Sequence, residues 1–298
     1  MHMNESTGHR AGFVNIIGKP NVGKSTLMNT MLGEKLSIIT SRAQTTRHRI
    51  HGIVNEPGYQ IIFSDTPGIL DPSYKLQESM LKAVRSALVD ADILLYMTEA
   101  GEDPDPDHPF IKKIARSKVP VLLLINKIDL SNQGDVERRV DQWQKILPKA
   151  EIIAISALEN FNTGHVFKRI LHYLPESPPY YPKDAFTDKS ERFLAGEIIR
   201  EKILLHYKQE IPYAVEIEIE SFKEEPGLIR ISAVIYAEKE SQKGILIGSE
   251  GKALKKVGRE ARLDMEDFFG TKIFLQMRVK VKKDWRNNER QIRNFGYH

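Results

Sequence analysis

A run of eight residues near the start of the chain, Gly18-Lys-Pro-Asn-Val-Gly-Lys-Ser25, has the spacing G-x-x-x-x-G-K-S. Glycines let such a run turn tightly, so that its backbone N–H groups and the start of the following helix face a phosphate group. The lysine adds a cation for the β- and γ-phosphates, and the final hydroxyl adds a ligand for Mg²⁺. The run therefore predicts a nucleotide site. Its predicted contacts are Gly18, Asn21, Val22, Gly23, Lys24, Ser25 and Thr26.

An acidic residue and a threonine are placed to complete the metal site. The run Asp65-Thr-Pro-Gly68 follows a predicted strand, where a carboxylate suits Mg²⁺ and the small Gly68 can bring its N–H to the γ-phosphate. Earlier in the chain, a threonine of Gln44-Thr45-Thr46-Arg47 can bind Mg²⁺ and the γ-phosphate only in the triphosphate state. Thr46 is favoured over Thr45, but the sequence leaves both open. The predicted metal ligands are Ser25, Thr46 and Asp65, and the predicted catalytic residues are Lys24, Thr46 and Gly68.

A third run, Asn126-Lys-Ile-Asp129, follows an apolar predicted strand and indicates which base the site accepts. The carboxylate of Asp129 can accept hydrogen bonds from N1–H and the exocyclic amine of guanine, whereas adenine offers no such pair of donors. Asn126 would brace the loop, and the stem of Lys127 would cover the base. Ser156-Ala157 fits a backbone cap over the guanine oxygen. The predicted ligand is therefore GTP or GDP, and an ATPase is excluded.

These motifs need strands and helices that bring them together. Short β-rich runs alternate with helical patterns through the first 175 residues, which is typical of an α/β domain with a mostly parallel, doubly wound sheet. The predicted strands are Gly12–Ile17, Gln60–Ser64, Ile93–Met97, Val121–Ile125 and Glu151–Ile155. The predicted helices include Gly23–Leu32, Leu76–Val89, Asp107–Arg116 and Val136–Ile146. Each motif then follows a strand, at the edge where open α/β sheets bind ligands.

A proline-rich segment divides the chain. The run Pro175–Pro182 holds four prolines in eight residues and cannot lie inside a helix or a central strand. We predict a P-loop GTPase domain at residues 1–175, a linker at 176–189 and a smaller α+β domain at 190–298. The predicted elements of the last domain are helix Ser190–Tyr207, strands Tyr213–Phe222 and Leu228–Tyr236, helix Lys252–Phe269 and strand Lys272–Val281. Their order is α-β-β-α-β, or α-β-β-α-α-β if Gly258 separates two helices.

A glycine-rich turn, Ile247-Gly-Ser-Glu-Gly-Lys252, lies in the second domain between a predicted strand and a predicted helix. A G-x-x-G turn at the start of a helix can clamp a nucleic-acid backbone, and with this element order it predicts a KH-type (type II) domain. Cations on the helix can contact phosphates without selecting a sequence. The predicted RNA contacts are Ile247, Gly248, Ser249, Gly251, Lys252, Lys255, Lys256 and Arg259. The acidic Glu250 inside the turn repels phosphate and departs from this pattern.

The charge of the chain is unevenly distributed. Between Lys239 and His298 lie 15 of the 44 Lys and Arg residues, but only 8 of the 40 Asp and Glu residues. A basic end favours a polyanion as partner, and a solvated charged face is the alternative. The chain has no cysteine, which excludes disulfides and thiolate metal sites. The polar N-terminus and the absence of an apolar run of about 20 residues predict a cytosolic protein without a secretion leader or a membrane span.

These motifs together resemble the Era family of bacterial GTPases. The resemblance covers residues 11–297, through GKPNVGKST, TSRAQTTRHRI, DTPG, NKID and IGSEGKALKKVGREAR followed by VKVKKDW. It implies a switch that binds GTP with Mg²⁺, hydrolyses GTP, binds small-subunit ribosomal RNA near its 3′ end and assists assembly of the small ribosomal subunit. It also implies peripheral contact with the inner membrane, and we expect no DNA partner.

The residue after Gly68 is Ile69, where Ras-like GTPases carry a glutamine that orients the attacking water. An aliphatic side chain cannot do this, so we expect slow intrinsic turnover and water positioning by backbone, a partner or a monovalent cation. In related GTPases with an aliphatic residue here, an asparagine at the position of Asn21 helps to hold K⁺, which makes K⁺ a further candidate cofactor. The alternative is that Asn21 makes only a local turn bond.

Three other interpretations compete with an RNA-binding GTPase. The C-terminal domain could bind protein or membrane, with G-x-x-G as a plain turn. The chain could be a nucleotide sensor that hardly hydrolyses GTP, as Ile69 suggests. A tRNA-modification GTPase shares the switch residues, but it would be expected to carry catalytic or cofactor-binding elements that are missing from this sequence.

Overall fold

Runs rich in Ile, Leu and Val form a six-stranded sheet in a computed structural model of the chain, which describes residues 8–297. The prediction that the chain lacks a leader concerns residues 1–7, which lie outside the described residues, as does His298. The strands are β1 (Arg10–Gly18), β2 (Ile50–Glu56), β3 (Tyr59–Asp65), β4 (Ile93–Glu99), β5 (Val121–Asn126) and β6 (Glu151–Ala154). Their order across the sheet is β2-β3-β1-β4-β5-β6, and β2 is antiparallel to its neighbour while the others pair in parallel. The mostly parallel sheet was predicted. The strand β2 was not, because apolar and polar residues alternate only weakly along it and its pairing with β3 is what forms the strand.

Helices connect these strands and cover the sheet. They are α1 (Lys24–Leu32), α2 (Lys75–Ala87), α3 (Pro109–Ala115), α4 (Gln133–Ile146) and α5 (Thr163–Tyr173). One core cluster joins Val84, Ile111 and Trp143 of α2, α3 and α4 to alternate strand residues such as Leu94 and Leu123. The intervening strand residues point to the opposite side of the sheet, and α1 contacts β1, β2, β3 and α5. This arrangement is the predicted doubly wound α/β fold.

The C-terminal part of the described residues contains a three-stranded sheet with helices packed on it. The helices are α6 (Glu191–His206), α7 (Glu240–Ile247), α8 (Lys252–Phe269) and α9 (Glu289–Asn294). The strands are β7 (Glu216–Glu225), β8 (Leu228–Ala237) and β9 (Lys272–Val281), with β8 in the centre, antiparallel to β7 and parallel to β9. Buried residues of α6, α7 and α8 form one core with alternate residues of the strands.

The structure corrects the predicted order around the glycine-rich turn. A helix, α7, occupies the place before the turn where a strand was expected, so Gly248 to Gly251 join two helices. Gly258 does not separate two helices but lies inside α8. A Cβ at Gly258 would lie 2.8 Å from Cε of Met277 in β9, the far end of a flexible side chain. The order from α6 to β9 is therefore α-β-β-α-α-β, with α7 before the turn and α8 after it, and the short helix α9 follows β9.

The chain forms two compact units that are not simple halves. Among the described residues, the first consists of residues 8–37, Thr46–Leu70 and Leu81–Asp188, and the second of Ile38–Thr45, Asp71–Met80 and residues 189–297. The predicted boundaries at 175 and 190 stay a prediction. Between residues 8 and 297, no helix has the length and apolar character needed to cross a membrane.

Candidate functional site

The phosphate run forms the turn between β1 and α1. Gly23 precedes the helix with a left-handed φ of 99°, and a Cβ there would lie 2.3 Å from Nδ2 of Asn126. Only glycine fits this position without moving a buried neighbour. The turn places Lys24, the first residue of α1, at a helix N-terminus, where anions are favoured.

Lys24 is buried beneath this turn, with 6% of its surface exposed. Its ammonium donates hydrogen bonds to the backbone carbonyls of Lys19 at 2.7 Å and Gly18 at 3.2 Å. Burial lowers the pKa of Lys24 to about 8, against the opposing effect of the negative charge of Asp65. The lysine is thus a cation held inside the predicted phosphate site at the cost of desolvation.

The three predicted metal ligands lie together. The hydroxyls of Ser25 and Thr46 both donate to Oδ2 of Asp65, at 2.7 and 3.1 Å, and lie 3.0 Å from each other. Asp65 is buried, which raises the pKa of its carboxyl, while hydrogen bonds and Lys24 act in the opposite direction. By contrast, the hydroxyl of Thr45 donates to the carbonyl of Arg42 at 2.7 Å.

These oxygen atoms fit Mg²⁺. Oδ1 of Asp65 is buried and makes no hydrogen bond with the described residues, although buried polar atoms are nearly always paired. A carboxylate with a free buried oxygen and two hydroxyls is a donor set of the hard oxygen type that Mg²⁺ prefers. The neighbouring lysine leaves the site short of negative charge, as expected if phosphates supply further ligands.

The Asp65-Thr-Pro-Gly68 run begins at the last residue of β3 and lies against the phosphate turn. A Cβ at Gly68 would lie 2.6 Å from the backbone nitrogen of Pro20, and the amide of Ile69 donates to the carbonyl of Gly18 at 2.9 Å. The Ile69 side chain lies in the core cluster with 6% of its surface exposed. It therefore cannot orient a water molecule, either by its chemistry or by its position.

Asn126 connects two loops of the predicted base site. Its Nδ2 donates to the carbonyl of Val22 at 2.8 Å, and its Oδ1 accepts from the amide of Ala157 at 2.9 Å. Asn126 is 3% exposed, so both hydrogen bonds are shielded from water. The side chain thus fixes the phosphate run against the Ser156-Ala157 loop, and Ser156 is itself buried, with its Oγ accepting from the amide of Glu159.

The two charged residues after Asn126 differ in their surroundings. Lys127 has a left-handed φ of 62°, and its ammonium lies 2.5 Å from the carboxylate of Glu99. Asp129 lies in a short 3-10 turn, Ile128–Leu130, and its side chain is exposed. The amide of Ile128 donates to the carbonyl of Ile155, which joins this turn to the loop that holds Ser156.

Two acidic residues of this region are not among the predicted site residues. Glu99 pairs with Lys127, and Glu102 pairs with Lys19 of the phosphate run. Glu99 is the last residue of β4. A polar residue at the C-terminal end of a strand is the signal that identifies Asp65, and the same signal identifies Glu99. Glu102 carries no such signal.

The predicted RNA contacts lie around the turn between α7 and α8. Gly248, Glu250 and Gly251 have φ of 71°, 54° and 74°, so the backbone turns through left-handed conformations. The side chain of Ile247 is half-buried and that of Ser249 is exposed. The exposed cations of α8 follow at helical spacing: Lys252, Lys255, Lys256 and Arg259. Residues three and four apart share a helix face, so these cations form one basic face.

Family models match both parts of the chain. A model described as a 50S ribosome-binding GTPase matches residues 13–127, and a KH domain model matches residues 210–286. The chain is 49% identical over 291 residues to the GTPase Era of Syntrophus aciditrophicus, which covers 97% of this chain and 95% of that protein. It is 44% identical over 293 residues to the GTPase Era of Staphylococcus haemolyticus, which covers 98% of each.

Solved structures agree with these matches. Era in complex with MgGDPNP and nucleotides 1506–1542 of 16S ribosomal RNA has a TM-score of 0.92 and 40% identity, over 97% of this chain and 99% of that one. A Tyr-to-Ala variant of Aquifex aeolicus Era bound to GDP and AlF₄⁻ has a TM-score of 0.90, with the same identity and coverage. The predicted fold class, the KH domain and GTP hydrolysis are confirmed. The chain belongs to the Era family of GTPases.

Proposed function

We propose that this GTPase uses its nucleotide state to control binding to small-subunit ribosomal RNA near the 3′ end, and thereby assists assembly of the small ribosomal subunit. The observation that carries the proposal is the left-handed turn Gly248–Gly251, followed by four exposed cations on one face of α8. A relative that is 40% identical and similar over nearly its whole length binds nucleotides 1506–1542 of 16S ribosomal RNA, which supports RNA as the partner.

The proposed roles in hydrolysis follow from the arrangement of the first unit. Lys24 neutralises charge on the β- and γ-phosphates, and Gly68 offers its amide to the γ-phosphate. Ser25, Thr46 and Asp65 hold Mg²⁺, which when bound neutralises developing charge on the phosphate oxygens. The bracing of two loops by Asn126 keeps Asp129 and Ala157 in place for guanine.

Orientation of the attacking water requires a group other than Ile69. The Ile69 side chain is in the core, whereas Asn21 is exposed on the phosphate turn with a left-handed φ of 64°. We propose that Asn21 helps to hold K⁺ beside the phosphates and that intrinsic turnover is slow. A side-chain amide oxygen is a suitable ligand for such a cation.

Replacing K⁺ by Na⁺ at constant ionic strength tests the potassium proposal. We expect kcat for GTP hydrolysis to fall about tenfold or more in Na⁺ for the wild type. The same exchange should have little effect on Asn21→Ala, because that variant already lacks the ligand. Equal kcat of the wild type in both salts would remove K⁺ from the mechanism.

The cellular setting is also a proposal. The basic C-terminal residues support peripheral attraction to an anionic inner-membrane surface by a protein that acts in the cytoplasm. A second candidate function is that the C-terminal domain binds protein or membrane rather than RNA. Binding to vesicles of anionic phospholipid, in the absence of salt-sensitive binding to RNA, would favour this alternative.

RNA affinity in two nucleotide states tests the main proposal. A short single-stranded RNA with the sequence of the ribosomal 3′ end is titrated with protein in Mg²⁺–GDPNP and in Mg²⁺–GDP, over a series of salt concentrations. We expect salt-sensitive binding, because neutralised phosphates release counterions, and tighter binding in one nucleotide state. Equal affinity in both states would contradict control by nucleotide, and weaker binding than to a scrambled RNA would contradict the proposed target.

A further inference from the structure

Helix α6 buries charged side chains in its middle. Arg200 is 1% exposed and Glu197 is 8% exposed, although a helix packed on a sheet needs only apolar residues on its inner face. A buried charge is costly unless hydrogen bonds and an opposite charge satisfy it. The partners of Arg200 therefore explain why a charge is kept in this position.

Arg200 binds a carboxylate and two backbone carbonyls. Its Nε donates to Oε1 of Glu197 at 2.7 Å, and its Nη2 donates to the other oxygen of the same carboxylate. Nη2 also donates to the carbonyl of Thr45 at 2.5 Å, and Nη1 approaches the carbonyl of Gln44 at 3.4 Å. Both carbonyls belong to Ile38–Thr45, which is part of the same compact unit as α6.

The bond to Thr45 acts on the next residue through the peptide plane. The carbonyl of Thr45 and the amide N–H of Thr46 belong to one planar trans peptide unit, in which they point in opposite directions. A guanidinium that holds the carbonyl therefore fixes the direction of the Thr46 N–H. Since Arg200 is itself held by Glu197 at two atoms, its fork has little freedom to follow a moving loop.

A second contact holds the same segment. The Tyr74 hydroxyl donates to Oε1 of Gln44 at 2.8 Å, and the guanidinium of Arg286 lies 4.8 Å from the centre of the Tyr74 ring. Gln44 has a left-handed φ of 57°, so its backbone is in a conformation that side-chain-bearing residues rarely adopt. Arg200 thus holds the backbone carbonyls of Gln44 and Thr45, and Tyr74 holds the side chain of Gln44, all within the second unit.

We propose that Arg200 is a positioning residue for GTP hydrolysis, because its grip on the Thr45 carbonyl orients the Thr46 amide for the γ-phosphate. The inference rests on the proposed contact of Thr46 with nucleotide. A γ-phosphate is present in GTP and absent from GDP, so the effect of Arg200 is confined to the triphosphate state. No contact between Arg200 and the nucleotide is needed.

Two variants test this role, and a third is their control. Arg200→Lys keeps the charge but replaces the planar fork by a single ammonium, and Tyr74→Phe removes only the hydroxyl that holds Gln44. Lys202→Gln is matched to them: Lys202 is also largely buried on α6, but it pairs with Asp264 and Glu201 rather than with Ile38–Thr45. Thermal unfolding of each variant shows whether it is folded.

We expect Arg200→Lys to lower affinity for Mg²⁺–GDPNP and kcat about tenfold each, with GDP affinity unchanged, and Tyr74→Phe to act in the same direction more weakly. Lys202→Gln should alter none of these values. Equal losses of GDPNP and GDP affinity, or wild-type behaviour of a folded Arg200→Lys, would overturn the proposal. These measurements use no RNA. If the RNA proposal fails, the RNA titration shows it separately, because the wild type then hydrolyses GTP but does not bind the RNA.

Discussion

The carboxylate of Glu250 lies 2.8 Å from the ammonium of Lys252, and both side chains are three-quarters exposed. The acidic residue in the turn is therefore paired with the first cation of α8. An exposed ion pair of this kind contributes little to stability, about 0–1 kcal/mol, so an RNA phosphate can replace the carboxylate. The displaced carboxylate would still lie close to such a phosphate and would repel it.

Replacing Glu250 by Gln should tighten RNA binding. We expect a gain of about threefold to tenfold at low salt and a steeper fall of affinity with salt, because Lys252 then acts on phosphate without a competing negative charge. Glu240→Gln serves as control, since Glu240 pairs with Lys243 on α7 and its removal changes the net charge equally. An unchanged RNA affinity of Glu250→Gln, measured by fluorescence anisotropy, would mean that the turn does not approach phosphate.

Gly251→Asp should weaken RNA binding and leave GTP binding intact. Gly251 has φ of 74° and open space around its Cβ position, so a side chain there meets a backbone penalty rather than a clash. Gly251→Asn separates the two effects, because Asn tolerates left-handed backbone and carries no charge. We expect a loss of about tenfold or more for Asp and a smaller loss for Asn in RNA titrations. RNA affinity equal to wild type in the Asp variant would remove the turn from the RNA site.

GDP affinity should fall above about pH 8. The pKa of Lys24 is lowered to about 8, chiefly by burial. Bound phosphate favours the protonated ammonium and raises the pKa of Lys24. GDP affinity is therefore constant at pH values below the pKa of the nucleotide-free protein, and above that pKa it falls by up to about tenfold per pH unit. Calorimetric titrations at fixed Mg²⁺ can measure this fall. Guanosine, which lacks phosphates, controls for titration of the base; a parallel decline of both ligands would show that Lys24 is not responsible.

Asp129→Asn should change the base that the site accepts. A side-chain amide presents an NH₂ donor group and only one acceptor oxygen, whereas the carboxylate accepts two hydrogen bonds from guanine, one at each oxygen. We expect GTP affinity to fall by about 2–4 kcal/mol, and xanthosine triphosphate, which has an oxygen in place of the exocyclic amine, to bind better than GTP. The exposed Glu159 provides a control as Glu159→Gln, which should keep the guanine preference. Retained preference for GTP in Asp129→Asn would place base recognition elsewhere.

Ser190→Ala should destabilise the C-terminal unit without affecting nucleotide binding. The hydroxyl of Ser190 accepts a hydrogen bond from the amide of Phe193 at 3.3 Å and caps α6. Loss of such a cap costs about 0.5–2 kcal/mol in the free energy of unfolding. Ser241, exposed inside α7, is the comparison residue, and Ser241→Ala should have a much smaller effect in denaturant unfolding. Equal effects of the two substitutions would contradict the capping role.

The secondary structure was predictable where a local pattern decides it. Ser190 caps α6 and the proline-rich run ends the alternation of strands and helices, as the sequence indicates. The elements that were not predicted include the strand β2 and the helix α7. Pairing with β3 stabilises β2, and contacts with α8 and β9 hold α7, so in both cases neighbouring elements supply what the local pattern lacks.

The sequence by itself determined the family of this protein and predicted its nucleotide site. Its glycines, Lys24, Asp65 and Asn126 lie in short runs after strands, and parallel strands bring their C-terminal ends to one edge. Only the tertiary structure revealed the contact of Arg200 with Thr45, which are 155 positions apart. Arg200 binds a backbone carbonyl there, and because every residue type carries the same carbonyl, such a contact leaves no signal in the sequence.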